Sequence, residues 1–442
     1  MRKVYTLGLL ILLLSSPKEG RPEEIKLPTE NLATLVAAAL TNNPELKASE
    51  SRWKMYSSKV KQASAWEDPM IMLKMQNMLT REPVVFNKDP QSAIVVGLSQ
   101  QIPFWGKQVA RKDVALHDAE SYKWTFEERK LELARMVKES CYQIWAIDKG
   151  LAIIDNNLKI LSDFVKISEL KYSVGLGVQQ DIFKAGLEKS KMIDMQITLR
   201  QQRKSLEANL NYLLYRPGNI PIGTIPDFTL PQITFSMEKL DETAIENRPQ
   251  IKSLNSLIKK AEASRRLAQK EFYPDFNLSF EYMFRKAISN EMVVDPGYNM
   301  FSVGIAFNLP FQKAKRKAMQ SESTFETAMV SEELVALKNT ITYTINETLI
   351  QLDRRRKLVE LYQKGIIPQA EQSFESALIS YRVNKVDFMT LLDSRMNLFN
   401  YKRELYESQA EYMMKLAQLE AAIGTDINSL PTVQIKNTEI TP

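Results

Sequence analysis

Side chains able to do chemistry are scarce in this 442-residue sequence, and they are not arranged for catalysis. There is one histidine, His117, and one cysteine, Cys141. No glycine-rich phosphate loop and no pair of carboxylates in a compact cleft accompanies them, so acid–base, nucleophilic and phosphoryl-transfer chemistry lack their parts and no enzyme is expected. Cys141 has no second thiol to pair with and falls in a helical pattern as a core residue. Met70, Met72, Met75 and Met78 have ligand character, because thioethers bind soft metals. Strand alternation, however, puts Met75 on the face opposite the other three, no His or Cys is near, and Met is an ordinary apolar filler. No metal site and no cofactor is expected. Lys315-Arg316-Lys317 and Arg354-Arg355-Arg356-Lys357 lie inside helices without interleaved aromatics and read as solvated faces, not as a nucleic-acid surface.

The elements around these residues are long. Only 14 Gly and 19 Pro occur, and they cluster. Arg2 and Lys3 precede a short apolar run, Val4 to Leu14, followed by Ser15, Ser16 and Pro17, which reads as an export leader over residues 1–20. No later run has the 18 or more apolar residues of a membrane-spanning helix. Short helices are expected at Asn31–Thr41 and Glu45–Glu67, with breaks at Pro44 and Pro69. Strands follow at about 70–79 and 92–104: Ile94, Val96, Leu98, Ile102 and Phe104 share one face, and Gly97, Ser99 and Gln101 the other. Ile71, Leu73, Met75 and Leu79 likewise oppose Met72, Lys74 and Gln76.

From Gly106 to about Ser173 no proline interrupts the chain. Val137, Cys141, Ile144, Leu151, Ile154, Leu158, Leu161, Val165 and Tyr172 repeat at alternating steps of three and four, a coiled-coil seam breached by Asp148. Gly175 and Gly177 turn the chain, and a return helix runs over 179–215. A proline-rich linker, 216–240, separates this from a second copy over 241–424. Asn43-Pro44 matches Arg248-Pro249, Pro69 matches Pro274, Pro103 matches Pro310 and Tyr172 matches Tyr381, at offsets of 205 to 209 residues. The second copy has strands at about 276–284 and 299–309, a long helix at about 312–382 interrupted near Gly365 and Pro368, a turn at Val383-Asn384-Lys385, and a return helix at 386–423. A tail, 425–442, carries no pattern and is expected to be flexible.

Strands with one apolar and one polar face fit a lipid-facing barrel around water. Four strands cannot close one, since about eight is the minimum and open edges are excluded from hydrocarbon, so several chains must contribute. Helices on the order of 100 Å long must bury their seams on neighbours, and a ring of such hairpins below a barrel makes a tube. The junction of strand and long helix is written twice, as Gln101-Ile102-Pro103-Phe104-Trp105-Gly106-Lys107 and as Asn308-Leu309-Pro310-Phe311-Gln312-Lys313. Pro103, Phe104, Gly106, Pro310 and Phe311 are its markers, and the two prolines are expected at one height on the helix-side rim of the barrel.

The chain resembles the TolC family of outer-membrane efflux proteins along essentially its whole length after the leader. The resemblance rests on Ala39-Leu40-Thr41-Asn42-Asn43-Pro44, Asp68-Pro69, the stretch Gln101 to Lys107, Tyr172-Ser173-Val174-Gly175 with Asp181-Ile182-Phe183-Lys184-Ala185, and Tyr381 with Phe388-Met389-Thr390-Leu391-Leu392-Asp393. It implies a mostly α fold with a small β part: two tandem repeats of helix, two-stranded hairpin and long helical hairpin, assembled as a homotrimer with a twelve-stranded outer-membrane barrel over a periplasmic α-barrel tunnel. It also implies outer-membrane lipid around the barrel, docking of a periplasmic adaptor and an inner-membrane transporter at the far tips, and acidic side chains narrowing the tunnel entrance. The tip candidates are Tyr172, Val174, Gly175, Gly177, Tyr381, Arg382 and Asn384; the gate candidates are Asp181, Asp387 and Asp393, with Lys184 at the first-repeat position of Asp393. Asn384 stands where glycine is usual, and Asn tolerates positive φ. The wording Pro103 to Lys107 resembles the family's heavy-metal branch, which leans the expected cargo toward metal ions or small molecules. Protein secretion through the same tunnel, or a periplasmic coiled-coil scaffold without a pore, are the competing readings.

Overall fold

The computed structural model describes residues 29–81, 85–86, 88–233, 235–287 and 297–429. The leader and all of the tail beyond Ser429 lie outside them. Two short helices open the described chain, α1 (Leu32–Asn42) and α2 (Pro44–Ser64). Asn43 makes the break between them: it ends α1 and caps α2, its side-chain oxygen accepting from Glu45 N at 2.9 Å and Leu46 N at 3.2 Å. Strands β1 (Met70–Gln76) and β2 (Ala93–Ile102) follow. Next come the long helix α3 (Lys107–Ser173) and its return partner α4 (Gln179–Leu213). The second half repeats the order with α5 (Met237–Asn247), α6 (Pro249–Lys270), β3 (Phe276–Arg285), β4 (Met300–Phe307), α7 (Lys313–Leu361), α8 (Ile367–Arg382) and α9 (Phe388–Ile423). Arg248 repeats the backbone of Asn43, with φ −63° and ψ 119° against −60° and 122°, and Pro249 again opens the following helix.

With 67 residues, α3 is about 100 Å long. Shorter helices match it end to end. The Asn43 amide donates to Leu213 O at 3.1 Å, so α2 continues the line of α4. The Arg248 guanidinium donates to Ala422 O, also at 3.1 Å, so α6 continues the line of α9. Between the two hairpins the proline-rich segment is a packed belt: Ile222 and Ile225 are buried, Trp145 Nε1 donates to Asp227 Oδ1 at 2.9 Å, and the Tyr412 hydroxyl donates to Pro231 O at 2.5 Å. Helix α5 begins at Met237, inside the expected linker, because Ser236 caps it.

The buried stripe of α3 toward its far end is Ile154, Asn157, Leu161, Phe164 and Ser168, with Leu151, Leu158 and Val165 only half-buried and Tyr172 exposed. The expected seam is thus rotated, because α3 packs against both α4 and α9. Asp148, the breach, faces Arg203 of α4 at 2.5 Å, so the irregularity is a cross-hairpin ion pair. Around Gly365 the long helix of the second repeat does not stop: a π-helical turn, Tyr362–Ile366, joins α7 to α8 directly before Pro368, whose missing N–H cannot continue the regular α ladder there.

The four strands form one antiparallel sheet in the order β1-β2-β3-β4. Its register puts Ile71, Leu73, Met75, Ile94, Val96, Leu98, Phe280, Phe284, Val303 and Ile305 on one face, and Met72, Lys74, Gly97, Ser99, Glu281 and Ser302 on the other. The expected first strand was too long. Asn77 adopts φ +55°, ending β1, so Met78 and Leu79 lie off the ladder.

Candidate functional site

The junction between sheet and helices is built around Lys107. This side chain is only 1% exposed, and its Nζ lies 2.9 Å from Asp275 Oδ1 and 3.4 Å from Glu271 Oε2, while donating to Tyr273 O at 3.0 Å. Asp275 binds both copies of the junction. Its Oδ1 accepts from Phe104 N at 2.8 Å, its N–H donates to Asn308 Oδ1 at 2.7 Å, and its carbonyl accepts from Asn308 N at 3.3 Å. Ile102, Phe276 and Phe307 form one rung of the sheet. Pro103 follows that rung by one residue and Pro310 by three, so both lie just below it and neither can extend the ladder. Gly106 has φ +80°, a left-handed backbone that glycine adopts without strain, and Lys270 Nζ lies 2.9 Å from where a Cβ would stand. On the apolar side Phe104 stacks on Tyr273 with centroids 4.4 Å apart, Trp105 packs edge-on to Phe276 at 5.7 Å, and Phe311 stands 81% exposed.

At the opposite end the two helical turns lie side by side. In the first, Leu176 N donates to Lys171 O at 2.8 Å and Gly175 has φ +72°; in the second, Lys385 N donates to Ser380 O at 2.9 Å and Asn384 has φ +57°. These are the same helix-ending turn, with Asn in the left-handed position that glycine fills in the first copy. Lys171 joins them: its Nζ donates to Tyr381 O at 2.8 Å and Asn384 Oδ1 at 2.6 Å, and sits 4.0 Å above the Tyr381 ring. Tyr172, Val174, Gly175, Arg382 and Asn384 are exposed there, and Gly177 is half-buried. Tyr381, expected on the same surface, is instead 5% exposed, because its ring packs against Phe388 beneath Lys171.

The three acidic candidates differ. Asp387 caps α9, accepting from Thr390 N at 2.8 Å and the Thr390 hydroxyl at 2.5 Å; those bonds, the hydroxyl's first, hold its carboxyl below the usual range. Asp181, in the first turn of α4, is half-buried. Burial pushes its pKa up, the Asp387 charge adds to this, and Lys184 opposes it. Asp393 is exposed six residues further along α9. Farther up, Arg395 is buried at 7% exposure, with Nε donating to Asn157 Oδ1 at 2.7 Å and its guanidinium 5.3 Å above the Phe374 ring. Burial lowers its pKa.

Lys171, Asp275 and the Asn157–Arg395 pair were not singled out by the sequence. Only Lys107 carried a signal, as the basic residue that ends the junction stretch in both copies.

Residues 35–214 and 240–425 match the outer membrane efflux protein family. The chain belongs to that family. It is 22% identical over 332 residues to the pyoverdine export outer membrane protein OpmQ of Pseudomonas putida, covering 74% of this chain and 67% of that one. It is 19% identical over 333 residues to the cobalt-zinc-cadmium resistance protein CzcC of Cupriavidus metallidurans, covering 73% of each. In fold it is similar to the outer membrane protein VceC of Vibrio cholerae, with a TM-score of 0.75 at 16% identity, covering 90% of this chain and 96% of that one. An efflux protein of the outer membrane needs a lipid-facing surface. Among the described residues no helix is long and apolar enough to cross a membrane, and one face of the sheet is apolar and exposed.

Proposed function

We propose that three copies of this chain close into a continuous conduit for passive exit, a twelve-stranded barrel in the outer membrane above a helical tunnel in the periplasm, fed by a periplasmic adaptor and an inner-membrane pump. The observation that carries this is the sheet itself: β1 and β4 are both open edges, and the face with Ile71, Leu73, Val303 and Ile305 is apolar and exposed. Open edges cannot stay unpaired in hydrocarbon, and pairing β4 of one copy with β1 of the next leaves none. The helices have matching edges below. Phe183, Leu187 and Ile197 are exposed on α4, and Ile350, Leu361 and Ile379 on α7, the π-helical turn's flank and α8.

The exposed tip residues Tyr172, Val174, Gly175, Arg382 and Asn384 serve as the adaptor-docking end, together with Leu176 and Val178. Asp181, Asp387 and Asp393 form the cation-favouring entrance; in three copies each inward carboxylate recurs three times. Pro103, Phe104, Gly106, Pro310 and Phe311 mark the barrel-to-tunnel junction. The chain carries no reaction of its own. Relatives of similar identity are named for pyoverdine export and for cobalt-zinc-cadmium resistance, so the cargo class we infer is small molecules or metal ions, with selection by the inner-membrane partner. Conductance of the purified protein in planar bilayers tests the reading: discrete cation-preferring channels are expected, and a protein released by osmotic shock that forms none would exclude it.

A further inference from the structure

The two junctions share a sequence pattern but not a fate. Lys107 of the first is buried on Asp275, whereas Lys313 of the second is exposed, as are Lys315 and Lys317 beside it. None of these three forms an ion pair among the described residues. Their placement is unfavourable for the isolated chain, because they crowd the first turns of α7, which has no side-chain cap and no acidic residue in its first turn, so they add to the helix dipole. At the other edge of the sheet, Glu67 and Asp68 precede β1, exposed and likewise without an ion pair among the described residues.

Inside the chain the equivalent step is already closed. There a helix-start lysine below β2 meets a carboxylate just before β3. If β4 is followed by the β1 of a second copy, the helix-start lysines below β4 meet the carboxylates just before β1 in the same relation. Resting on the assembly proposed above, we infer that Lys313 and Lys315 of one copy pair with Glu67 and Asp68 of the next, forming the intermolecular counterpart of the Lys107–Asp275 knot. The partner is a second copy of this chain, selected by opposite charge at the two edges of one sheet. The match to the internal knot is in charge and position, not atom for atom: the residue just before β1 is Pro69, which lacks the N–H that Asp275 contributes just before β3, so the seam relies more on its ion pairs and less on backbone bonds.

Charge reversal tests this in the full chain. Lys313→Glu with Lys315→Glu places four like charges at each seam, and the temperature at which the particle dissociates in detergent should fall by on the order of 5–10 °C. Adding Glu67→Lys and Asp68→Lys to the same chain restores opposite charges and should recover most of the loss. The milder Lys313→Gln with Lys315→Gln should fall less and should lose the salt sensitivity of the parent. The inference is overturned if the lysine reversals change nothing, or if the acidic-edge reversals fail to restore and stability follows the phosphatidylglycerol content of added vesicles, which would assign the lysines to lipid head groups. A parent chain that never forms a three-copy particle would instead remove the assembly itself.

Discussion

Lys107 and Asp275 are joined at 2.9 Å although one opens the long helix of the first repeat and the other immediately precedes the second repeat's first strand. The contact fixes the two repeats against each other where sheet becomes helix. Lys107 is buried, Asp275 is mostly so, and Glu271 lies alongside with Arg111 at 3.8 Å, so the lysine is the nearer cation to both carboxylates and the one that keeps Asp275 compatible with burial.

Replacing it follows directly. Lys107→Met should destabilise the protein by about 3–5 kcal/mol, most of it from the carboxylates left behind. Adding Asp275→Asn should cost less than the sum of the two single changes, because the residues share one network. Heat-induced dissociation in detergent measures both.

Lys171 is expected to hold the two helical tips together. Lys171→Ala removes its bonds to Tyr381 O and Asn384 Oδ1, a loss of about 1–3 kcal/mol between the hairpins. The expected result is a larger resting conductance in planar bilayers; an unchanged current would confine Lys171 to a structural role.

The entrance carboxylates should respond to pH in two steps. Asp387 has a lowered pKa, so the stability its bonds contribute is complete above the ordinary carboxylate range and is lost as pH falls through the lowered value. Asp181 is raised, so its charged form is disfavoured in the fold and it loses its charge first on acidification. Cation preference should therefore weaken in an upper and a lower step, and Asp181→Asn should remove the upper one. A titration of reversal potential reads both.

Within the helical wall, Asn157→Leu takes the side-chain acceptor from the buried Arg395 guanidinium and should destabilise by about 2–3 kcal/mol. The double change Asn157→Leu with Arg395→Leu should recover much of this, since an apolar pair of similar size removes the buried charge as well. Denaturant midpoints of the three variants give the comparison.

Local chemistry was readable in the sequence. Pro44, Pro249 and the two-residue alternation of β2 to β4 act through adjacent backbone, and they placed helix breaks and strand faces within a few residues. Partnerships across the fold were not. Nothing beside Lys107 points to Asp275, and nothing beside Asn157 points to Arg395, which a helix from the other repeat brings against it. Asn77 shows the intermediate case: alternation carried β1 onward to Leu79, whereas a single left-handed residue ended it. Tyr381 was misplaced for a similar reason, because its burial depends on Lys171 crossing from the first tip.

The central claim is that β4 of one copy pairs with β1 of the next around a closed ring of three. A chain carrying one introduced cysteine on each edge, at Leu73 or Ile71 on β1 and at Val303 or Ile305 on β4, measures this when oxidised in the membrane, with buried Cys141 as background. The account predicts a cross-linked ladder that stops at three chains. A product that stops at two, or cross-links only within one chain, would contradict it.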